Sequence, residues 1–236
     1  LIAGGQTLLA TLNMRLSEPS VLIDITDIAE LKGISIVGNS LRIGALVTHT
    51  EIEDSELVAK HAPLLRAAAP HIAHRAIRNL GTWGGSLAYG DPAAEWPACS
   101  LTLRATMIIH GPAGERRISA KDFFIDLYTT SLEPDEILVA TEIPLASKQE
   151  VFYFHELARR HGDYAVAGLA AVAQKQGDVL TNCAFTFFSV GATPVMATAA
   201  QDLVDGKKLN DELIAQAVTA ARNEIEAIAD ITNSAE

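Results

Sequence analysis

A chain of 236 residues, 49% of them apolar, can bury a substantial core and is neither a disordered nor a fibrous sequence. Eighteen basic against twenty-nine acidic side chains leave a formal charge of -11 with no long like-charge block, which counts against non-specific nucleic-acid binding. The two cysteines, Cys99 and Cys183, lie far apart without a CxxC spacing, which counts against a disulfide framework, a structural zinc site or an iron–sulfur cluster within this chain.

No apolar run reaches membrane-spanning length, and no basic start leads to a small-residue cleavage site, so a cytoplasmic, reducing environment is expected. Leu1 to Ala3 reads as the end of a buried strand running into the turn Gly4-Gly5-Gln6-Thr7. Leu8 to Leu16 follows as a helix, with Leu8, Leu9, Leu12 and Leu16 at helical spacing and Thr7 as its N-cap. With Leu at position 1 and the polar ITNSAE at the other end, part of the first unit and a terminal piece are expected to lie outside these residues. Val21 to Ile25 reads as a buried strand, and Ile34 to Val37 with Leu41 to Ile43 as a hairpin turning at Gly38-Asn39. Thr48 to Ser55 is helical, and His61 to Ile77 continues the helical pattern from Pro63, interrupted at Pro70. His61, His71 and His74 lack a carboxylate at metal-ligand spacing and read as solvated or capping histidines.

Beyond residue 92, Ala93 to Leu103 is a short helix, and Thr106 to His110 with Glu115 to Ile118 a hairpin across Gly111 to Gly114. Ala120 to Asp126 is helical and Glu136 to Ile143 alternates like a strand. Pro144 to Lys148 reads as a boundary, giving domains 1–147 and 148–236. The second part offers strands at Val151 to Leu157, Ala165 to Ala173 and Val179 to Val190. Helices follow at Thr193 to Leu203 and Asn210 to Ile228, with Gly206 as a stop and Asn210 or Asp211 as the next cap.

One stretch, Arg78 to Pro97, packs four glycines, two prolines and two carboxylates between a helical pattern and an apolar run. Gly84-Gly85, flanked by Thr82 and Ser86, offers main-chain N–H groups to a phosphate, and Asp91 and Glu95 offer acceptors to the hydroxyls of a sugar or polyol. The glycine turn at residues 4–7 is a second candidate anion site, at the start of a helix. No GK[ST] follows the glycines, which weakens any ATP site.

Three motifs in order, Ala3-Gly4-Gly5-Gln6-Thr7-Leu8-Leu9, Thr82-Trp83-Gly84-Gly85-Ser86-Leu87-Ala88 with Asp91-Pro92-Ala93-Ala94-Glu95-Trp96-Pro97, and Arg159-Arg160-His161-Gly162-Asp163-Tyr164-Ala165, resemble the FAD-binding medium subunit of molybdenum hydroxylases. This is the xanthine dehydrogenase and aerobic carbon monoxide dehydrogenase family. The resemblance implies an α+β fold of PCMH type, with two α/β subdomains holding FAD between them and a smaller domain of three antiparallel strands and a helical bundle. It implies that Ala3 to Thr7 and Thr82 to Ser86, Trp83 included, hold the FAD pyrophosphate, with Leu8 and Ala88 among the contacts. Asp91 or Glu95 binds the ribityl chain or a nearby hydroxyl, Leu138 lies by the ring system, and Tyr164 sits near the flavin where it gates access. It also implies partners: a small subunit with [2Fe-2S] clusters and a large molybdenum-cofactor subunit in a dimer of heterotrimers, and an external electron acceptor. No catalytic residue and no metal ligand is expected in this chain. His155 and Glu156 stand where the family often carries Lys, and Trp83 where a smaller aliphatic residue is common. Two other readings stay open: a self-contained flavin oxidoreductase of the vanillyl-alcohol-oxidase or MurB-like class, with His155, His161 or Tyr164 near the ring, and a non-catalytic nucleotide-binding module.

Overall fold

In the computed structural model, residues 1–227 are described. Ile2 pairs with Asp24 as an isolated parallel bridge, Ile2 N donating to Ile23 O and Ile25 N to Ile2 O. The glycine turn then enters α1 (Leu8–Asn13), which ends short of the expected Leu16 because Arg15 takes a positive φ, and which buries none of its residues. Thr7 makes no side-chain cap, so the first helix is not capped as expected. Val21 to Ile25 is not a buried strand either: Val21, Leu22 and Ile23 are exposed, because one short bridge is all that covers a run whose composition alone suggested two covered faces. A 3-10 turn (Ala29–Leu31) precedes the first sheet.

That sheet has the order β1-β2-β7-β3-β4 and is antiparallel throughout, formed by β1 (Ile34–Val37), β2 (Ser40–Gly44), β3 (Thr106–Gly111), β4 (Gly114–Ser119) and β7 (Ile137–Pro144). Both expected hairpins are present. The β3–β7 register slips between Ile108 and Ile109, so that Ile108 faces Ala140 while Ile109 faces Leu138. Such a bulge re-aims the side chain beside it, here Leu138 at the edge of the site.

Between β2 and β3 the chain runs through six helices. Thr48 caps α2 (His49–Asp54) in a full capping box with Glu51, and Ser55 caps α3 (Glu56–His61). The stretch from His61 to Ile77 is not one helix. Pro63 opens α4 (Pro63–Ala68), a 3-10 turn with Pro70 inside it ends that helix, and α5 (Arg75–Arg78) restarts after His74, since a proline cannot donate to the preceding turn. The glycine-rich stretch holds α6 (Trp83–Tyr89), capped by Thr82 at one end and by Gly90 at φ 66° at the other, where an irregular loop was expected. α7 (Glu95–Thr102) has all its residues buried. α8 (Ala120–Phe123) stops short of the expected Asp126 because the chain turns into β5 (Phe124–Asp126), which pairs with β6 (Thr129–Thr130).

The second sheet has the order β11-β10-β9-β8, with β8 (Glu150–Ala158), β9 (Ala165–Gln176), β10 (Val179–Phe188) and the two-residue β11 (Val195–Met196) beyond the three strands expected. α9 (Thr198–Val204) starts later than the expected Thr193, and α10 (Asp211–Glu224) is capped by Asn210, whose side chain accepts from Leu213 N at 2.8 Å. α10 ends at Glu224, where Ile225 turns extended, short of the expected Ile228, which itself lies outside the described residues. Residues 145–149 carry the chain from one sheet to the other, yet the core does not stop there: Ala165, Ala170, Val172, Ala184 and Phe188 of the second sheet share one apolar cluster with Trp83 and Trp96. The Thr102 hydroxyl, bonded back to Ala98 O within α7 at 2.8 Å, also reaches Ala170 O of β9 at 3.3 Å and ties the helix to the second sheet. The site's framework is therefore one packed unit.

Candidate functional site

The two glycine segments meet. A Cβ placed on Gly4 would lie 1.8 Å from Leu80 O and 3.0 Å from Gly81 Cα, so the first glycine loop rests directly on the backbone leading into α6. Around this junction opens a cavity of about 840 Å³, in the range of cofactor pockets. Ala3, Gly4, Gly5, Gln6, Thr7 and Leu8 form one wall, and Thr82, Gly84, Gly85, Ser86 and Ala88 another. Asp91, Glu95, Leu138 and Tyr164 complete the set expected from the sequence. Trp83 is the exception: its ring is fully buried in the core, with Nε1 donating to Thr141 Oγ1 at 2.9 Å and the ring edge-on to Trp96. On a helix, the residue after the N-cap points away from the face that Thr82 and Ser86 share, a distinction invisible when the stretch is read as a loop.

The two walls differ in what their backbone offers. In α6, Trp83 N donates to Val47 O, Gly84 N to Ala45 O, Gly85 N to Thr82 Oγ1 and Ser86 N to Thr82 O, so these N–H groups already have acceptors. In the first loop, the N–H groups of Gly4, Gly5, Gln6 and Thr7 have no acceptor among the described residues. Unpaired main-chain donors around an open cavity form an anion-binding nest. Gly5, at φ 69°, is in the left-handed region that brings such N–H groups onto one side. Gly84, which lines the cavity, also serves the packing: a Cβ there would lie 2.4 Å from Ala45 Cβ, so its absence lets α6 lie against the chain after β2. The α6 wall offers the Thr82 and Ser86 hydroxyls instead.

The charged groups are distinctive. Four carboxylates, Asp91, Glu95, Glu136 and Asp163, line the cavity, and no lysine or arginine is among the lining residues. Glu136 is paired with Arg116 at 2.6 Å, which holds its carboxyl down at about 2, and Asp163 is paired with Arg160 at 3.1 Å. Asp91 accepts from Ala93 N at 2.9 Å and is nonetheless raised by burial. Sequence reasoning missed His49, which Thr48 caps into α2 on the cavity wall. Its Nδ1 accepts from Trp96 Nε1 at 2.9 Å, and burial, helped by the charge of Arg78, depresses it to about 3, so the ring is neutral with its proton on Nε2. The capping box T-x-x-E was the signal that could have found it. Leu46, Ile72, Ala73 and Ile137 add apolar surface for a flat ring. His71 is not the solvated or capping residue expected: it packs on Phe154 and its Nδ1 sits 3.3 Å from Glu156 Oε1. His74 stands before α5 without making a side-chain cap, and among the described residues no three His, Cys, Asp or Glu side chains form a metal cluster.

A glycine nest and an apolar wall sharing one cavity of this size suit a dinucleotide cofactor. Comparison with known proteins gives the family. Residues 1–146 match the FAD binding domain in molybdopterin dehydrogenase, and residues 152–236 the CO dehydrogenase flavoprotein C-terminal domain. The nicotine 6-hydroxylase medium subunit of Paenarthrobacter nicotinovorans is 39% identical over 236 residues, covering 100% of this chain and 83% of that protein. Among solved structures, the carbon monoxide dehydrogenase of Hydrogenophaga pseudoflava superposes with a TM-score of 0.97 at 35% identity, over 99% of this chain and 82% of its own. Quinoline 2-oxidoreductase from Pseudomonas putida 86 superposes with a TM-score of 0.93 at 41% identity, over 99% and 81%. The chain belongs to the FAD-binding medium subunits of the molybdenum hydroxylases, the xanthine dehydrogenase and carbon monoxide dehydrogenase family. FAD is its cofactor and its chemistry is that of an oxidoreductase subunit. The cavity fits that group: the unpaired donors of the first loop suit a diphosphate, and the apolar wall suits a ring system.

Proposed function

We propose that this chain carries FAD in the cavity between its two glycine segments and serves as the electron outlet of a molybdenum hydroxylase complex. Electrons arrive from the iron–sulfur clusters of a small subunit, after a large molybdenum-cofactor subunit has oxidised the organic substrate, and leave to an external acceptor. Bound FAD supplies the ability to take electrons singly and release them in pairs. The observation that carries the reading is the row of unpaired N–H groups from Gly4 to Thr7, set against the backbone before α6 and opening on one cavity.

Each wall has its part. The first loop binds the diphosphate through main-chain donors, and the Thr82 and Ser86 hydroxyls close on it from α6. Gln6 is held by its own Nε2 bond to Gly4 O at 2.9 Å, which stiffens the loop before anything binds. Asp91 and Glu95 face the polyol, Leu138 and Ile137 the ring, and Tyr164, 63% exposed on the rim, stands where it restricts access. The chain divides at residues 147/148 into an FAD-binding unit and a C-terminal unit that packs on α7. The assembly is a dimer of heterotrimers in the cytoplasm, in keeping with the absence, among the described residues, of any helix long and apolar enough to cross a membrane. A self-contained flavin oxidoreductase is not favoured, since relatives such as the nicotine 6-hydroxylase medium subunit and carbon monoxide dehydrogenase medium chains are named as subunits of larger enzymes. Isolation of the complex tests the proposal: one FAD per copy of this chain, bleached anaerobically by the organic substrate only when the small and large subunits are present. Bleaching of the isolated chain by that substrate would contradict it.

A further inference from the structure

The cavity described above has to admit a diphosphate, yet four carboxylates and no cationic side chain line it. Arg116 and Arg160 neutralise two of the four, Glu136 and Asp163. Asp91 is held by Ala93 N. Glu95, 6% exposed at the start of α7, has no ion-pair partner among the described residues. A carboxylate buried without a counter-ion in a cavity that admits a diphosphate would be costly twice over, by its own desolvation and by repulsion. A further buried carboxylate is Glu156 of β8, whose side chain is 4% exposed and whose Oε2 has no hydrogen-bond partner among the described residues, while Oε1 faces His71.

We infer that Glu95 is held as a neutral carboxylic acid in this protein and presents an O–H donor, rather than a carboxylate acceptor, to the group that fills the cavity. The inference rests on the proposal that FAD occupies this cavity. Burial above all pushes the Glu95 carboxyl up to about 8, with the charges of Glu156 and Asp91 adding to it against the pull of its own backbone N–H. Glu156 is itself raised to about 6 by burial, restrained by His161 and His155, and is anionic at neutral pH. The other titratable groups bearing on Glu95 act the same way or not at all. Asp91 is raised by burial. The Cys99 thiol, one turn along α7, is pushed well up by burial and then by Glu95 and Glu156. Tyr164 and Tyr89 are raised by burial, and neutral His49 lines the same cavity.

The test titrates FAD into the flavin-stripped complex at several pH values, reading flavin fluorescence. FAD keeps a constant charge from pH 7 to 9, so pH dependence reports the protein. If only the protonated form of Glu95 accepts FAD, affinity falls about tenfold between pH 7 and 9. Glu95→Gln, which keeps a neutral donor, binds at pH 7 within a few-fold of wild type and loses the pH dependence. Glu156→Gln removes the neighbouring anion and moves the fall to lower pH. In the infrared difference between pH 7 and 9, the stripped wild type loses a protonated-carboxyl stretch that Glu95→Gln lacks. Equal affinity at both pH values with FAD bound, or a slope retained in Glu95→Gln, overturns the inference alone. Failure to take up FAD at any pH overturns the cavity assignment as well.

Discussion

Gly4→Ala separates the two walls of the site and is the most revealing single change. The added methyl would sit 1.8 Å from Leu80 O and 2.6 Å from Leu80 C, both backbone atoms, where ordinary contact begins at 3.4 Å. The two backbones must part by about 1.5 Å, and no side chain at the contact can swing aside. Forcing a methyl into such a junction costs about 1–3 kcal/mol. α1 buries none of its residues, so the first loop is the side that gives way, and the change appears chiefly as a misplaced nest. A displacement of roughly 1 Å in binding groups costs on the order of a hundredfold in a well-oriented site. Expected is a loss of about 10- to 100-fold in FAD affinity, measured by fluorescence titration of the stripped complex, with the main thermal transition lowered by only a few degrees. Wild-type affinity in Gly4→Ala would refute the claim that contact between the two glycine segments shapes the site.

Gly84→Val puts its Cβ 2.4 Å from Ala45 Cβ in the buried seam under α6, so it should lower the melting temperature or abolish folding rather than remove flavin from a folded protein. Folded, stable Gly84→Val protein lacking FAD would restore the diphosphate role first expected of that glycine. Trp83→Phe deletes the donor to Thr141 Oγ1, a hydroxyl in a fully buried residue, and should cost about 1–3 kcal/mol in denaturant unfolding while leaving FAD affinity unchanged. Weakened flavin binding at unchanged stability would put Trp83 back in the site. His49 is depressed to about 3 by burial, so between its ordinary value of 6.5 and that point the unfolded chain binds the extra proton and stability falls as pH falls. His49→Asn should flatten that part of the acid branch in melting temperatures taken from pH 6.5 to 4; an unchanged slope would contradict the assignment.

How far the site was readable from sequence depends on what each residue's backbone does. The first loop was legible because Gly4-Gly5 is followed by a polar turn and an apolar helical pattern, and its N–H groups are unpaired as a nest requires. The second segment was legible in place but not in mechanism. Two adjacent glycines read as a loop, whereas Thr82 caps a helix there and Gly84 serves a close helix–strand approach, a tertiary demand that local propensity does not carry. The same limit explains Trp83: whether a residue after an N-cap faces cavity or core is decided by the helix that the glycines concealed. Leu8, Leu9, Leu12 and Leu16 have a helical period, but Leu9 and Leu16 are exposed, since periodicity marks an apolar face without saying what covers it. The sheets fared better because alternation and turn residues agreed, as at Gly38-Asn39 and across residues 176–178. Proton positions at Glu95, Glu156 and His49 come from burial and distant neighbours, and no local pattern encodes them.

Amide hydrogen exchange, resolved by residue in the stripped complex with and without FAD, tests the central claim most directly. Expected is fast exchange at Gly4, Gly5, Gln6 and Thr7 that slows sharply on FAD addition, while Gly84 and Gly85, already bonded to Ala45 O and Thr82 Oγ1, stay protected in both states. Protection gained at Gly84 and Gly85 with residues 4–7 unchanged would mean that the diphosphate lies on the other wall, and that the unpaired donors of the first loop do not hold it.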